Sequence, residues 1–360
     1  MIEPRLLDLL RELVEIESPS GTPGVRAVAE RVGDELERLG GMVELLEHDH
    51  LRAELPGNGR PLLLVGHSDT VWPLGTLAAM PFRIEGDRAY GPGAYDMKAC
   101  LVVMLDAIRR AGRERQALRV FVTADEELGS RTGRPLLEAA SRDVAAGLVV
   151  EPPTPRGNVK TARKGLGRFK VRIEGRPAHA GTDKEEGVSA IQELAHQIHA
   201  LHGLEDPDAG ISVNVGVVRG GIAENVVAPE AEARADIRIA RSDDRERIEE
   251  ALESLEPADP EAKLEVSGGW TRPPLERSEG AARLFERARA HGSELGLELG
   301  DESSAGGSDG NIVGAVGVPV LDGLGAEGAG AHAPDEHVLL PSIPVRAELL
   351  SRMLRDPGIS

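Results

Sequence analysis

Apolar residues recur every three to four positions along Glu3–Ile16, with Leu6, Leu9, Leu10, Leu13 and Val14 on one stripe, and the period predicts an amphipathic helix. Ser18-Pro19-Ser20-Gly21-Thr22-Pro23-Gly24 breaks the pattern. Val25–Leu39 repeats it as a second helix that Gly40-Gly41 stops. Met42–Glu47 and Leu51–Leu55 read as strands around a polar His48-Asp49-His50 turn. The pattern then changes kind. Pro61-Leu62-Leu63-Leu64-Val65 is apolar without interruption, as a strand buried on both faces must be, and Leu118–Thr123 and Gly147–Val150 are built the same way. Between them, Met97–Ala111 and Thr132–Ala140 carry helical periodicity.

Pro152–Asn158 holds three prolines and a glycine and reads as a linker. Beyond it, Phe169–Glu174 alternates strictly, as a half-solvated strand does. A helix over Val188–Leu201, strands over Ile211–Val218 and Ala231–Ala240, a helix over Asp243–Leu255 with Ser242 as N-cap, and a strand over Leu264–Val266 complete the order βαββαβ, a ferredoxin-like unit. Ala281–His291 returns to a helical pattern, Val318–Leu321 to a buried strand and Val345–Arg355 to a closing helix. The organisation expected is an α/β domain with a mostly parallel sheet over residues 1–160 and 271–360, interrupted by an inserted ferredoxin-like domain over 161–270.

Composition narrows the function. With 360 residues the chain can bury two cores. Its net charge of −19 argues against nucleic acid and anionic membranes as partners, and eight Phe, Trp and Tyr in all leave few platforms for stacking bases. One cysteine, Cys100, excludes an internal disulfide and fits the reducing cytoplasm. The acidic, amphipathic first segment is unlike a signal peptide, and no apolar run approaches the ~20 residues of a membrane helix.

The chemistry sits where the buried strands end. His67 and Asp69 follow the first, Glu126 and Glu127 the second and Glu151 the third, at the carboxyl edge where open α/β sheets place their ligands. Asp96 precedes the Met97–Ala111 helix, near its positive end. Core packing gives no reason for an imidazole or a carboxylate at each strand end; a metal site does. His67, Asp96, Glu127, Glu151 and His332 form a ligand set suited to Zn²⁺ or Mn²⁺, two of which can share one carboxylate. Asp69, two residues beyond His67, can take the second imidazole N–H and fix the ring. Two adjacent acids make sense if one binds metal and the other moves a proton.

Four motifs carry a family resemblance: Gly66-His67-Ser68-Asp69-Thr70-Val71, Gly91–Lys98 with Tyr95-Asp96-Met97, Asp125-Glu126-Glu127-Leu128-Gly129-Ser130, and Arg176-Pro177-Ala178-His179-Ala180-Gly181. They resemble the M20 metallopeptidases, a family of glutamate carboxypeptidases, aminoacylases, acetylornithine deacetylases and succinyl-diaminopimelate desuccinylases. The stretch Gly66–Lys98 is most similar to the carboxypeptidase branch. The resemblance implies a zinc-peptidase-like catalytic domain holding two Zn²⁺ per chain, with Co²⁺ or Mn²⁺ as substitutes. It implies that Asp96 bridges the ions, His67 and Glu151 complete one site, Glu127 and His332 complete the other, and Glu126 is the general base. It further implies that His179 and Asn225 help hold the transition state, that Arg238 grips the substrate carboxylate, and that the inserted domain makes a homodimer. The expected substrate is a small dipeptide or N-acyl amino acid. Cys100 stands where the family usually has glycine.

Other readings compete. Ser68 or Cys100 could serve a nucleophilic hydrolase, or the chain could bind acyl amino acids without turning them over. Arg238 could simply pair with Asp236. His48 and His50 read as turn residues, His196, His199 and His202 as an exposed or dimer face, and Ser303–Gly310 as a loop shaping the substrate pocket, since it lacks the lysine of a phosphate loop.

Overall fold

The computed structural model describes residues 2–359, which fall into two compact units. One takes the chain up to Arg163 and resumes at Leu275; the other runs from Lys164 to Pro274.

The first unit is built on a six-stranded sheet in the order Met42–Leu45, Leu51–Leu55, Gln116–Thr123, Asn58–His67, Ala146–Val149, Val320–Leu321. Its last four strands are parallel, with Leu64 opposite both Val120 and Leu148. The first two are antiparallel. Because successive side chains leave a strand on opposite faces, the unbroken apolar runs feed two cores at once. Leu62 and Leu64 enter one core with Leu10, Val32, Leu101, Leu284 and Leu350 from the flanking helices. Leu63 and Val65 enter the other with Leu137 and Ile312. The central helix Ala99–Ala111 is buried almost all round; even Asp106 is inside, held by Arg109 and Arg110 at 2.7 and 2.6 Å. Parallel strands end at one edge, so His67, the Asp125–Glu127 turn and Glu151 emerge together.

Three local expectations are corrected. The helix after Asp96 begins only at Ala99; Asp96 and Met97 have non-helical backbone (φ −113° and −133°) within a wide turn over Ala94–Lys98. Pro152–Asn158 is no linker between units. Pro152, Pro153 and Thr154 are buried, and Thr154 and Asn158 exchange hydrogen bonds in a closed turn inside the first unit. His50 closes the expected turn, accepting the Leu46 N–H, but its side chain is fully buried rather than solvated.

The second unit is a four-stranded antiparallel sheet in the order Ser212–Gly220, Glu230–Ile239, Gly165–Glu174, Lys263–Arg272. Helices Ala190–His202 and Asp244–Glu253 contribute Leu194, Leu201, Ile248 and Leu252 to a core with Val171, Ile173 and Ile237. This is the ferredoxin-like arrangement. Its last strand is longer than Leu264–Val266 because Gly268-Gly269 continues it rather than ending it. A Cβ on Gly268 (φ +114°) would lie 2.2 Å from the Arg168 carbonyl oxygen, so only glycine fits there. The N-cap of Asp244–Glu253 is Asp243, not Ser242, and its side chain makes no capping bond.

Candidate metal centre

His67 ends the central strand almost wholly buried, 2% exposed. Its Nδ1–H points to the Asp69 carbonyl oxygen at 2.9 Å, with the Asp69 carboxylate at 3.3 Å, and this leaves Nε2 to face outward. Around Nε2 stand Asp96 Oδ1 at 3.3 Å and Glu151 Oε1 at 3.7 Å. The other Asp96 oxygen is 3.5 Å from His332 Nε2, which lies 3.2 Å from Glu127 Oε1. Two groups of potential ligands thus share one carboxylate: His67, Asp96 and Glu151 on one side, Asp96, Glu127 and His332 on the other.

The spacing suits metal. A tetrahedral zinc ion with N and O ligands at ~2.0–2.2 Å sets its ligand atoms ~3.3–3.6 Å apart, close to the histidine–carboxylate separations of 3.2–3.7 Å in the two groups. The charges suit it as well. Burial by itself would lower the His67 pKa, yet Asp69, Asp96 and Glu151 hold it well above the usual imidazole value. Hydrogen bonds to Asp96 and Glu127 raise His332 to about 10. Burial, then the neighbouring Asp96 charge, pushes Glu151 up to about 7. Asp96 goes the other way: burial opposes its ionisation, but His332 and His67 outweigh it and keep the carboxyl ionised. An array that draws protons onto its imidazoles and onto one of its acids is short of positive charge, and divalent cations supply it.

Asp69 organises the far side of the cluster. Its carboxylate accepts the Ser20 hydroxyl at 2.6 Å and the backbone N–H groups of both Glu126 and Glu127 at 3.1 Å. One buried anion therefore fixes His67 and the turn bearing the two adjacent acids.

Three residues support the cluster in ways the sequence did not indicate, two of them, Glu336 and Arg163, not singled out there at all. Glu336, fully buried, accepts N–H groups from Gly93, Tyr95 and Asp96 at 3.0 Å each and from the Trp72 indole at 2.6 Å. Its only sequence signal is its place four residues after His332. Arg163 grips Asp322 through two bonds of 2.6 and 3.0 Å, donates to the Gly306 and Gly307 carbonyls, and lies 3.9 Å from Glu151. His50 accepts the Ala124 N–H on Nδ1 and reaches Thr132 Oγ1 through Nε2, and Thr132 in turn donates to Asp125. That chain braces both ends of the Glu126–Glu127 turn.

The other residues singled out in the sequence have these surroundings. His179, Asn225 and Arg238 belong to the Lys164–Pro274 unit. His179 Nδ1 accepts the Gly181 and Thr182 N–H groups at 3.1 and 3.2 Å, so the ring proton sits on Nε2. The Asn225 carbonyl accepts the Ala180 N–H at 3.0 Å, which joins the two loops. Arg238 donates to Asp236 at 2.8 Å. Cys100 is fully buried, its thiol pKa driven up by burial. Ser308 caps the helix Asp309–Ala315 and bonds Asp322, so Ser303–Gly310 is a strand end and helix cap, not a phosphate loop.

Residues 63–356 match the model of peptidase family M20/M25/M40. Carboxypeptidase G2 of Pseudomonas sp. strain RS-16 is 32% identical over 99% of this chain and 90% of its own. Acetylornithine deacetylase of Myxococcus xanthus is 30% identical over 70% of this chain and 71% of its own. Among solved structures, a tripeptidase of Staphylococcus aureus shares the fold with a TM-score of 0.86 at 24% identity, covering 99% of both chains. The chain therefore belongs to peptidase family M20/M25/M40 and is a metal-dependent hydrolase.

Proposed function

We propose that this chain is a dinuclear hydrolase that cleaves an amide bond next to a free carboxylate, taking a dipeptide with C-terminal glutamate or an N-acyl amino acid. The observation that carries the proposal is the sharing of Asp96 between two ligand groups, with Glu126 beside one of them. His67, Asp96 and Glu151 would hold one ion, Asp96, Glu127 and His332 the other, with Zn²⁺ the ion expected and Co²⁺ or Mn²⁺ able to replace it. Bound there, the ions supply Lewis acidity for the amide carbonyl and the attacking water. Glu126 takes the proton from that water and returns it to the leaving amine. His179, with its proton on Nε2, and Asn225 donate to the developing oxyanion. Arg238 offers a planar fork to the substrate carboxylate. The 32% identity to carboxypeptidase G2 supports a glutamate carboxypeptidase-like activity; the likeness to acetylornithine deacetylase supports N-deacylation as the second reading.

The reading includes a homodimer formed through the Lys164–Pro274 unit. Ser212–Gly220 is an edge strand, and Val217, Val218, Ile191 and Ile222 are 40–73% exposed there. It also includes a cytoplasmic setting, which the lone buried Cys100 fits. Among the described residues no helix is long and apolar enough to cross a membrane.

The test is turnover of a panel of N-acyl amino acids and dipeptides by zinc- and cobalt-loaded protein, with metal counted alongside. About two ions per chain and activity abolished by chelation are expected. Full activity with one ion would end the dinuclear model.

A further inference from the structure

The edge of the parallel sheet opposite the metal centre holds an open cavity of 560 Å³. It lies where three neighbouring strands begin. Arg60 stands at the start of Asn58–His67, Arg142 and Asp143 precede Ala146–Val149, and Val318 and Pro319 precede Val320–Leu321. The metal ligands stand at the other ends of these strands; Arg60 and His67 share one strand and are ~20 Å apart.

The chain ties the three entries together. The Ala145 N–H is bonded to the Pro61 carbonyl and the Gly147 N–H to the Pro319 carbonyl, both at 2.8 Å. Arg60 itself donates to the Val144 carbonyl at 2.9 Å. The helix Glu279–Glu294 packs on the last entry so closely that a Cβ on Gly280 would lie 2.5 Å from Pro319 Cγ, and the same helix brings Arg283 to the cavity.

The charge of the cavity is the reverse of the chain's. Acidic residues outnumber basic ones by 61 to 42 overall, yet three arginines, Arg60, Arg142 and Arg283, line this space against one carboxylate, Asp143. Among the described residues Arg60, Arg142 and Asp143 make no ion pair, and Arg283 only comes within 4.0 Å of the exposed Glu279. By contrast, Arg109 and Arg110 are both engaged by buried Asp106. Three like charges around one space repel one another, and an anion between them removes that repulsion. The excess of two positive charges matches a dianion. Much of the remaining wall is apolar, with Val316, Val318 and Ile359 in it, so it also suits a carbon skeleton, and the volume falls within the ~300–1,000 Å³ of small-molecule sites.

We infer that this cavity is a second binding site, separate from the metal centre, for a small organic anion with two or more negative charges, a dicarboxylate or a phosphate ester. The guanidinium forks of Arg60, Arg142 and Arg283 grip the charged groups, and the carbon body lies against Val316, Val318 and Ile359. The site does not depend on the hydrolase reading.

Calorimetric titration of the metal-loaded protein with glutarate and, separately, with glycerol 3-phosphate, at fixed ionic strength, tests this; the two arms tell a dicarboxylate site from a phosphate site. At least one probe should bind saturably. Arg142→Ser/Arg283→Ser should weaken that binding by about tenfold or more, and each single substitution by less. Both side chains are exposed, so metal content and ligand-free Tm should stay as in the wild type. Arg113→Ser/Arg156→Ser, which removes the same charge from exposed positions elsewhere on this unit, should leave binding unchanged. Equal weakening by the two double variants would reduce the effect to general charge and overturn the inference. Binding that survives intact in Arg142→Ser/Arg283→Ser would belong to another site, the metal centre included, and overturns it too, as does the absence of saturable binding by either probe.

Discussion

The two halves of the metal centre share Asp96 but are built differently. His67 is the last residue of a central parallel strand, 2% exposed, with its second nitrogen bonded. His332 comes from a turn, at φ +61°, with its side chain 49% exposed. One half is inherited from the sheet; the other is completed by a loop on top of it. A ligand locked by packing keeps its geometry without metal, whereas a loop ligand must be ordered by the ion it binds. The halves should therefore differ in affinity and exchange.

The strongest way to break the comparison is to remove what the halves share. Asp96→Asn should lose both ions and lower kcat/KM by on the order of 10⁴-fold, since the ions carry several kcal/mol of transition-state stabilisation; metal analysis and kinetics on one preparation would show it. Retention of one tightly held ion would mean that the halves are independent. Glu126→Gln should leave both ions in place and lower kcat by on the order of 10²–10⁴-fold. If that variant loses an ion while Glu127→Gln keeps both, the roles of the two acids are exchanged.

Next is the asymmetry itself. His332→Ala should lose one ion and recover part of its activity in excess Zn²⁺, while His67→Ala should not recover. Chelation of the wild-type protein should be biphasic, with the fast phase missing in His332→Ala. A smaller effect is expected from Asp69→Asn, which leaves every ligand in place but weakens the hold on His67 and on the Glu126–Glu127 turn: about 10–100-fold in metal affinity or activity.

The smallest effect concerns protons. The His332 pKa is raised to about 10 by its carboxylate partners and that of His67 is also raised, so both carry protons at pH 7 in metal-free protein. Metal binding must displace them. Calorimetry in buffers of different ionisation enthalpy should show net proton release on loading, with affinity rising as pH rises. In metal-free protein the sign for stability is the reverse. A raised pKa favours the folded state below the unfolded value near 6.5 and ceases to do so as pH climbs through about 10. The metal-free Tm should fall over that range, and loaded protein should not follow it.

What the sequence made legible was local or periodic. Leu62–Val65 could be read as a doubly buried strand because nothing polar interrupts it, and the βαββαβ order followed from alternation such as Phe169, Val171 and Ile173. The fold class and the family were readable for that reason and from four compact motifs. Roles set by long-range contacts were not. Glu336 meets Asp96 across 240 positions, Arg163 meets Asp322 across 159, and His50 meets Thr132 across 82; no periodicity marks such partners. Composition misled at Pro152–Asn158, where prolines shape a buried turn, and at Gly268-Gly269, where glycine admits a close strand. Short exposed strands such as Arg83–Glu85 bury nothing on either side and leave no pattern to read.

Glu336 has a consequence for the order in which the protein matures. A single carboxylate four residues past His332 holds the backbone around Asp96 and the indole of Trp72. The shared ligand is thus made early in synthesis, but its anchor is made more than two hundred residues later. A ribosome-bound chain that has not yet exposed residue 332 can form most of its parallel sheet, yet it has neither His332 nor the clamp on Asp96. The second ligand group therefore waits for synthesis past residue 336, whereas the first, His67, Asp96 and Glu151, has all its members by residue 151.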